Sequence, residues 1–304
     1  VHLPSEFASQ VALRFARTLH EGGVPAGLFN VVTGNPFAIG DVLTTHPLVR
    51  SISFCGSPRI GKHVAELAAR DLKPVTLELG GKSPLIVLDD ADIDEAVQAA
   101  HLSIFFFQGQ ACMGASRIFV QRGIAEEFTR KFIAAARDSK MGDLRAADTS
   151  IGPIISERQR ERVRRHIEDA RAKGARILAG GEWVGNRCQP TILQDVSEAM
   201  EVCRNETFGP VTSLYVFDEV SDAMERANDT EYGLSFAIFT RDIDTALKLA
   251  HQARSGMVHI NRATIQDEPH VPFGGLGLSG FGREGTGVDL DLLTEWKWIT
   301  IRMS

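Results

Sequence analysis

Between Phe7 and Glu21, apolar residues recur at three- and four-residue intervals (Ala8, Val11, Ala12, Phe15, Ala16, Leu19), the spacing of one stripe along a helix. GGVPAG ends that pattern, and the apolar segment LFNVVTG after it reads as a buried strand. The unit then repeats: SISFCG is a short strand, SPRIGKHVAELAARD an amphipathic helix and KPVTLELGG a strand closed by two glycines. Beyond these come strand PLIVLDD, helix ADIDEAVQAAHLSIFFF, strand SRIFVQ and helix AEEFTRKFIAAARD. Helix SERQRERVRRHIEDARAKG, strands RILAGG and TSLYVF, helix SDAMERAND, strand FAIFT, helix DIDTALKLAHQAR and strand MVHIN complete the series. Short apolar strands alternating with amphipathic helices argue for a parallel sheet covered by helices, so the expected fold class is α/β.

The Gly80–Gly81 pair is the natural boundary, giving domains over 1–80 and 81–282 and a tail over 283–304. In that tail TEWKWITIRM alternates bulky and polar residues. It fits a terminal strand, either extending a neighbouring sheet or lying in the sheet of its own domain.

Composition narrows the possibilities without changing this picture. With 304 residues, 43% hydrophobic and 24% charged, the chain is globular in make-up and long enough to bury a core without disulfide or metal support. Its 33 basic and 39 acidic residues give a net charge of -6, so no general positive field exists to hold nucleic acid. The basic run from Arg158 to Arg165 is interrupted by Glu161 and preceded by Glu157, the pattern of a solvated helix face. No apolar run approaches a membrane span and VHLPSEF lacks signal-peptide features, so the expectation is a cytoplasmic protein with no membrane partner. Cys55, Cys112, Cys188 and Cys203 form no CxxC and no cluster with histidine, so no metal is expected.

Three places carry candidate chemistry. In FCGSPRIG, Gly56 sits at a strand-to-helix turn, Ser57 where a hydroxyl can cap, and Pro58 at the first helical position. Such a helix start suits an anion, yet the spacing Gly56 to Gly61 lacks the P-loop lysine and the third glycine of a dinucleotide fingerprint, so an ordinary capped helix explains it as well. Cys112 lies in the glycine-flanked loop GQAC, as a nucleophile or as a small buried hydrophobe; the other three cysteines read as the latter. Glu78 interrupts the apolar run VTLELGG at a strand end, where a carboxylate costs free energy unless it has a partner or a task. A thiolate nucleophile and a base make a coherent pair.

At LELGGKSP, FFFQGQACMGASR, ETFGP and PFGGLGLSGFGREG the sequence resembles the NAD(P)-dependent aldehyde dehydrogenase superfamily, with motifs in matching order along essentially the whole chain. The resemblance implies a partial Rossmann-like nucleotide-binding domain over 1–80, an α/β catalytic domain over 81–282 and an oligomerisation strand in 283–304. It implies that Cys112 attacks an aldehyde to give a thiohemiacetal, that hydride passes to the cofactor, and that Glu78 activates the water that releases the acid. By the same resemblance Glu206 accepts from the nicotinamide ribose, Phe208 packs beside the ring, Gly56 and Ser57 (with Gly61 in the same turn motif) meet the pyrophosphate, and the Leu79 carbonyl orients the carboxamide. Glu6, in LPSE, would accept from the adenosine 2′-hydroxyl and repel a 2′-phosphate, favouring NAD and leaving NADP open.

The sequence departs from the family pattern at Leu3, where lysine is usual, and in having no counterpart of the N-terminal region that carries an asparagine of the oxyanion hole. The Cys112 N–H remains as a donor, and losing one donor costs on the order of a hundredfold in rate, so the chain alone is expected to be a poor catalyst. Arg283 and Glu295 resemble residues that brace the site against a neighbouring subunit, implying a homodimer or homotetramer. ATIQDEPHVPFGG and LTEWKWITI look like those of aromatic-aldehyde members such as benzaldehyde and vanillin dehydrogenases. The run Phe105, Phe106 and Phe107 could line an aromatic-friendly tunnel, although helix-core packing is expected for at least two of the three rings. Two alternatives stand beside this reading: transfer of the thioester to coenzyme A, against which Glu78 argues, and a non-catalytic nucleotide-binding or subunit-binding fragment.

Overall fold

A computed structural model describes residues 1–303. It forms two compact units, Val1–Phe54 with Arg59–Val75, and Cys55–Pro58 with Thr76 to the C-terminal end.

The first unit contains helix α1 (Ser9–Glu21), helix α2 (Pro36–Thr45), most of strand β1 (Ile52–Cys55) and helix α3 (Pro58–Ala69) from Arg59 on. The Asn35 side chain accepts from the Phe37 N–H and starts α2. Lys73 ties the end of that helix down, donating to the carbonyls of Thr44 (2.7 Å) and His46 (2.8 Å). The segment LFNVVTG is not the expected buried strand. Val31 makes one isolated bridge with His2, and Leu28 and Val32 are exposed, since only two backbone hydrogen bonds join the segment to His2. α1 is amphipathic as expected, yet it has no buried residue.

The larger unit runs β2 (Val75–Glu78), β3 (Pro84–Val87), α4 (Ile93–Phe105), β4 (Arg117–Gln121), α5 (Arg122–Asp138), α6 (Glu157–Ala172), β5 (Arg176–Ala179), β6 (Thr191–Gln194), β7 (Val211–Phe217), α7 (Val220–Asn228), β8 (Ser235–Phe239), α8 (Ile243–Gln252), β9 (Met257–Ile260), β10 (Gly280–Phe281) and α9 (Thr286–Leu293). Seven of these strands form one sheet in the order β9-β8-β3-β4-β7-β6-β5. Every neighbouring pair is parallel except β5 with β6 at the edge. Helices on both faces explain why β3 and β8 are buried along their whole length and read as continuous apolar runs. On β3, Leu85 and Val87 join the cluster containing α4 and α5, while Ile86 faces the cluster of α6 and α7. The side-chain alternation of a strand thus divides the core into two layers.

β2 lies outside that sheet and pairs antiparallel with β10, Glu78 opposite Gly280. The units divide between Val75 and Thr76, ahead of the Gly80–Gly81 pair, because the end of β2 is bonded into the larger unit: Leu79 donates to the Ser279 carbonyl at 3.0 Å. From Thr294 to Met303 the tail forms no strand in its own sheet, and Trp296, Trp298, Ile299 and Ile301 are exposed.

Phe132 is fully buried between Phe105 and Phe128, with ring centroids 5.9 and 5.7 Å away. Phe132→Ala is expected to cost about 3–5 kcal/mol of unfolding free energy, read from the denaturant midpoint. A loss under about 1 kcal/mol would show that α4 and α5 are not packed through this ring.

Candidate active site

The base candidate stands at the end of β2. Glu78 is 3% exposed, and neither carboxylate oxygen has a hydrogen-bond partner among the described residues. Its backbone is held from both sides, by the β10 pairing and by the Gly56 N–H, which donates to the Glu78 carbonyl at 3.0 Å. Burial pushes the carboxyl up to about 8; the charge of Glu284 adds to this and Arg283 opposes it. Arg283 is itself anchored, donating to the carbonyls of Gly275 (2.9 Å) and Gly282 (2.6 Å).

Cys112 lies in the tight turn Ala111–Gly114, closed by the Gly114 N–H on the Ala111 carbonyl at 3.0 Å. The thiol is half-buried, and desolvation pushes it up to about 12, with the charges of Cys55, Glu206 and Glu78 in the same direction and the Met113 N–H against them. Two glutamines pin the approach to this turn: Gln108 accepts the Gly152 N–H at 2.9 Å and Gln110 the Ile155 N–H at 3.0 Å. Between the helix α4 and the turn, Phe107 (φ 48°) and Gln108 (φ 58°) adopt the left-handed conformation consecutively, which costs energy for non-glycine residues. Gly109 follows at φ 68°, and a Cβ there would overlap the Gly209 carbonyl.

The third element is the segment of Glu206 and Phe208. Glu206 accepts the Gly81 N–H at 3.0 Å, and a Cβ on Gly80 would lie 2.5 Å from its carboxylate. A Cβ on Gly81 would overlap the Cys112 carbonyl oxygen, so both glycines are required by close approach. Burial raises the Glu206 carboxyl, partly offset by the Gly81 N–H. Phe208 sits at φ 53°, and the Gln159 side chain donates to the carbonyls of Thr207 and Phe208, both at 2.8 Å. Gln159 is presented by the first turn of α6, whose Ser156 cap accepts the Gln159 N–H. Lys82, next after the glycine pair, is fully buried; it donates to the Val202 carbonyl at 2.6 Å, and desolvation lowers it to about 7.

The structure therefore brings Glu78, Leu79, Cys112, Glu206 and Phe208 into one unit, together with the turn of Gly56 and Ser57. The Gly56 N–H is already engaged by the Glu78 carbonyl. Glu6 and Gly61 belong to the other unit, Glu6 exposed ahead of α1 and Gly61 buried in α3. Cys55 is exposed rather than a core thiol, because side chains of the short β1 alternate outward. Phe105 alone of the three phenylalanines enters the core; Phe106 and Phe107 are exposed and meet edge to face at 4.4 Å, since helix α4 ends before them. Sequence reasoning missed Lys82, Gln108, Gln110 and Gln159. Glutamine on both sides of Gly109 was a visible signal, whereas Gln159 acts through tertiary contacts alone. A cavity of about 630 Å³ opens on α5 and is lined by none of these residues. Among the described residues, no group of three or more His, Cys, Asp or Glu is placed to hold a metal.

The model of the aldehyde dehydrogenase family matches residues 1–299. The chain is 43% identical over 293 residues to the NADP(+)-dependent succinate-semialdehyde dehydrogenase of Escherichia coli, covering 95% of this chain and 61% of that protein. It superimposes with a TM-score of 0.94 on a salicylaldehyde dehydrogenase of Pseudomonas putida G7 complexed with salicylaldehyde, at 40% identity over 99% of this chain and 63% of the other. The NAD+ complex of an aldehyde dehydrogenase from Bacillus cereus gives a TM-score of 0.94 at 36% identity, over 99% of this chain and 62% of the other. The chain thus spans a little over three fifths of the length of these relatives.

With its thiol held near 12, Cys112 should be alkylated slowly by iodoacetamide at neutral pH when no cofactor is bound. The rate, followed peptide by peptide by mass spectrometry, should rise about tenfold per pH unit up to about pH 10, as the thiolate fraction does. A plateau reached near neutrality would show that the thiolate is already stabilised in the resting site.

Proposed function

The chain belongs to the aldehyde dehydrogenase family, and we propose that the protein oxidises an aldehyde to its carboxylic acid with a nicotinamide cofactor, using Cys112 as nucleophile and Glu78 as base. The observation that carries this reading is a half-buried thiol in a tight turn in electrostatic contact with a buried carboxylate that has no hydrogen-bond partner among the described residues.

The residues present fit a nicotinamide nucleotide. Glu206 is fixed on the Gly81 N–H through one oxygen and retains acceptor capacity for a ribose diol, and Gly80 and Gly81 leave a strip of backbone without side chains beside it. Phe208 stands two residues on for the ring, and Ser57 at the start of α3 suits the pyrophosphate. When bound, that cofactor supplies the hydride acceptor.

The Cys112 thiol proton passes to the aldehyde oxygen as the sulfur adds to the carbonyl carbon, giving a thiohemiacetal whose oxygen takes the Cys112 N–H as a donor. Loss of hydride from its carbon to the nicotinamide cofactor and of its hydroxyl proton to water would convert this adduct to a thioester on the same sulfur. Glu78, as carboxylate, then accepts a proton from water; the hydroxide attacks the thioester carbon, the C–S bond breaks, and the proton held by Glu78 passes to the sulfur, so that the acid leaves with the thiol regenerated. Hydrolysis rather than transfer to coenzyme A follows from having this base beside the thiol. Two neutral acids at rest, thiol and carboxyl, also explain how a buried site tolerates both groups before substrate arrives.

For the cofactor we favour NAD on the strength of Glu6, with NADP as the alternative that the E. coli relative uses. For the substrate we favour an aromatic aldehyde, supported by the exposed ring pair Phe106–Phe107 ahead of the nucleophile and by the salicylaldehyde-bound relative. The exposed tail with Trp296, Trp298, Ile299 and Ile301 is proposed to join a sheet of a second copy, giving a homo-oligomer, and the protein is proposed to be cytoplasmic.

Cys112→Ala in the full protein should abolish cofactor reduction by aldehydes. Glu78→Gln should keep a burst of about one reduced cofactor per site but slow steady turnover by on the order of a hundredfold. In the wild type, thioester hydrolysis should climb as pH rises through about 8, because only the ionised Glu78 acts as base, and this inflection should be absent in Glu78→Gln. Unchanged turnover in Cys112→Ala would refute the nucleophile, and a flat profile would refute the base. Separately, Trp296→Asp with Trp298→Asp should lower the sedimentation mass; an unaltered mass would remove the tail from the interface.

A further inference from the structure

We propose that His166 is a positioning residue for the cofactor-holding segment, acting on Glu206 and Phe208 through the hydroxyl of Thr207 between them. This rests on the reading that Glu206 and Phe208 hold the nicotinamide ribose and ring.

His166 projects from the middle of α6 and is fully buried. Its Nδ1 lies 3.0 Å from Thr207 Oγ1, itself on a residue 2% exposed. Its Nε2 has no hydrogen-bond partner among the described residues, a carboxylate oxygen of Glu201 lying 3.4 Å away without the alignment of a hydrogen bond. Nδ1 and the Thr207 hydroxyl therefore share the one hydrogen bond of this ring, its direction set by the tautomer. In either direction the bond fixes the rotor of the Thr207 hydroxyl. Burial keeps this imidazole neutral by lowering its pKa to about 4, so the arrangement persists at neutral pH.

The same helix holds the near end of the segment. Arg165 donates to the Glu201 carboxylate at 3.1 Å, and Asp169 accepts the Glu201 N–H at 2.8 Å. Between that anchor and Gly209, the chain must pass through Phe208 in the left-handed conformation while Glu206 stays on Gly81. A left-handed phenylalanine relaxes unless its surroundings determine it. Gln159 holds the carbonyls of Thr207 and Phe208, but His166 is the group that grips a side chain lying between the two cofactor residues. Removing it should let Glu206 and Phe208 drift from their positions without touching Cys112 or Glu78.

The test is steady-state kinetics of the full protein. His166→Phe and Thr207→Val are each expected to raise KM for the nicotinamide cofactor about tenfold, the loss of one buried hydrogen bond, with KM for the aldehyde unchanged. Thr207→Ser keeps the hydroxyl and should stay within about twofold of wild type. The double variant should be no worse than either single one, because both remove the same bond. A wild-type cofactor KM in folded His166→Phe, or additive effects in the double variant, overturns the proposal. If His166→Phe fails to fold, the comparison of Thr207→Val with Thr207→Ser decides alone, equal KM values overturning it. Glu206→Gln in the same assay separates the two levels. If it leaves cofactor KM unchanged, the underlying reading of Glu206 fails; if it raises KM while the His166 and Thr207 variants do not, only the positioning role fails.

Discussion

The site depends on two adjacent residues that have no side chains. Gly80 and Gly81 leave the end of β2 as bare backbone, and into that space come the Cys112 carbonyl from one loop and the Glu206 carboxylate from another. Glu78 precedes the pair by two positions and Lys82 follows it directly. The proposed base, nucleophile and cofactor acid are thereby all referenced to one short strand whose register is set by β10. A side chain at Gly80 would meet the Glu206 carboxylate and one at Gly81 the Cys112 carbonyl, so each glycine admits one of the two loops. Precision of this kind is more readily obtained from a paired strand than from loops alone.

Electrostatics follow from the same crowding. Glu78, Cys112 and Glu206 are three acids, each raised first of all by desolvation, and the charges of Glu78 and Glu206 both push up the thiol. Ionising any one makes the others harder to ionise, so in the resting protein the group is best described as sharing little negative charge. A cation brought beside the thiol would reverse that balance, favouring the thiolate. Such a site answers to what binds in it, which is a physical reason for cofactor and nucleophile to be coupled.

Much of this was legible along the chain. The alternation of short apolar strands with amphipathic helices gave the covered parallel sheet, because fully buried strands lose polar alternation and leave a distinctive run, as in PLIV and SFAIF. Glu78 stood out as a charge ending an apolar strand, and Cys112 as a cysteine between glycines. The failures have a common cause: partners distant in sequence. LFNVVTG has strand character but finds only His2 to pair with, and the tail has it without a neighbour in its own sheet. The hold of Gln159 and His166 on residues some forty positions away depends on how α6 docks, which no periodicity records. Helix α2 went unread because its residues are apolar without a clear stripe, whereas Asn35-Pro36 was a usable start signal.

The consecutive left-handed residues Phe107 and Gln108 bear on how this protein would change under selection. Each is a conformation that glycine or asparagine adopts at lower cost, and the pair lies directly ahead of the nucleophile turn. Selection for heat resistance alone would favour replacing Phe107 with one of those residues, since relieving strain is among the cheapest routes to stability. The same replacement would remove an aromatic ring that faces solvent a few residues from Cys112. Under the proposed preference for an aromatic aldehyde, robustness and substrate choice would be opposed at this single residue.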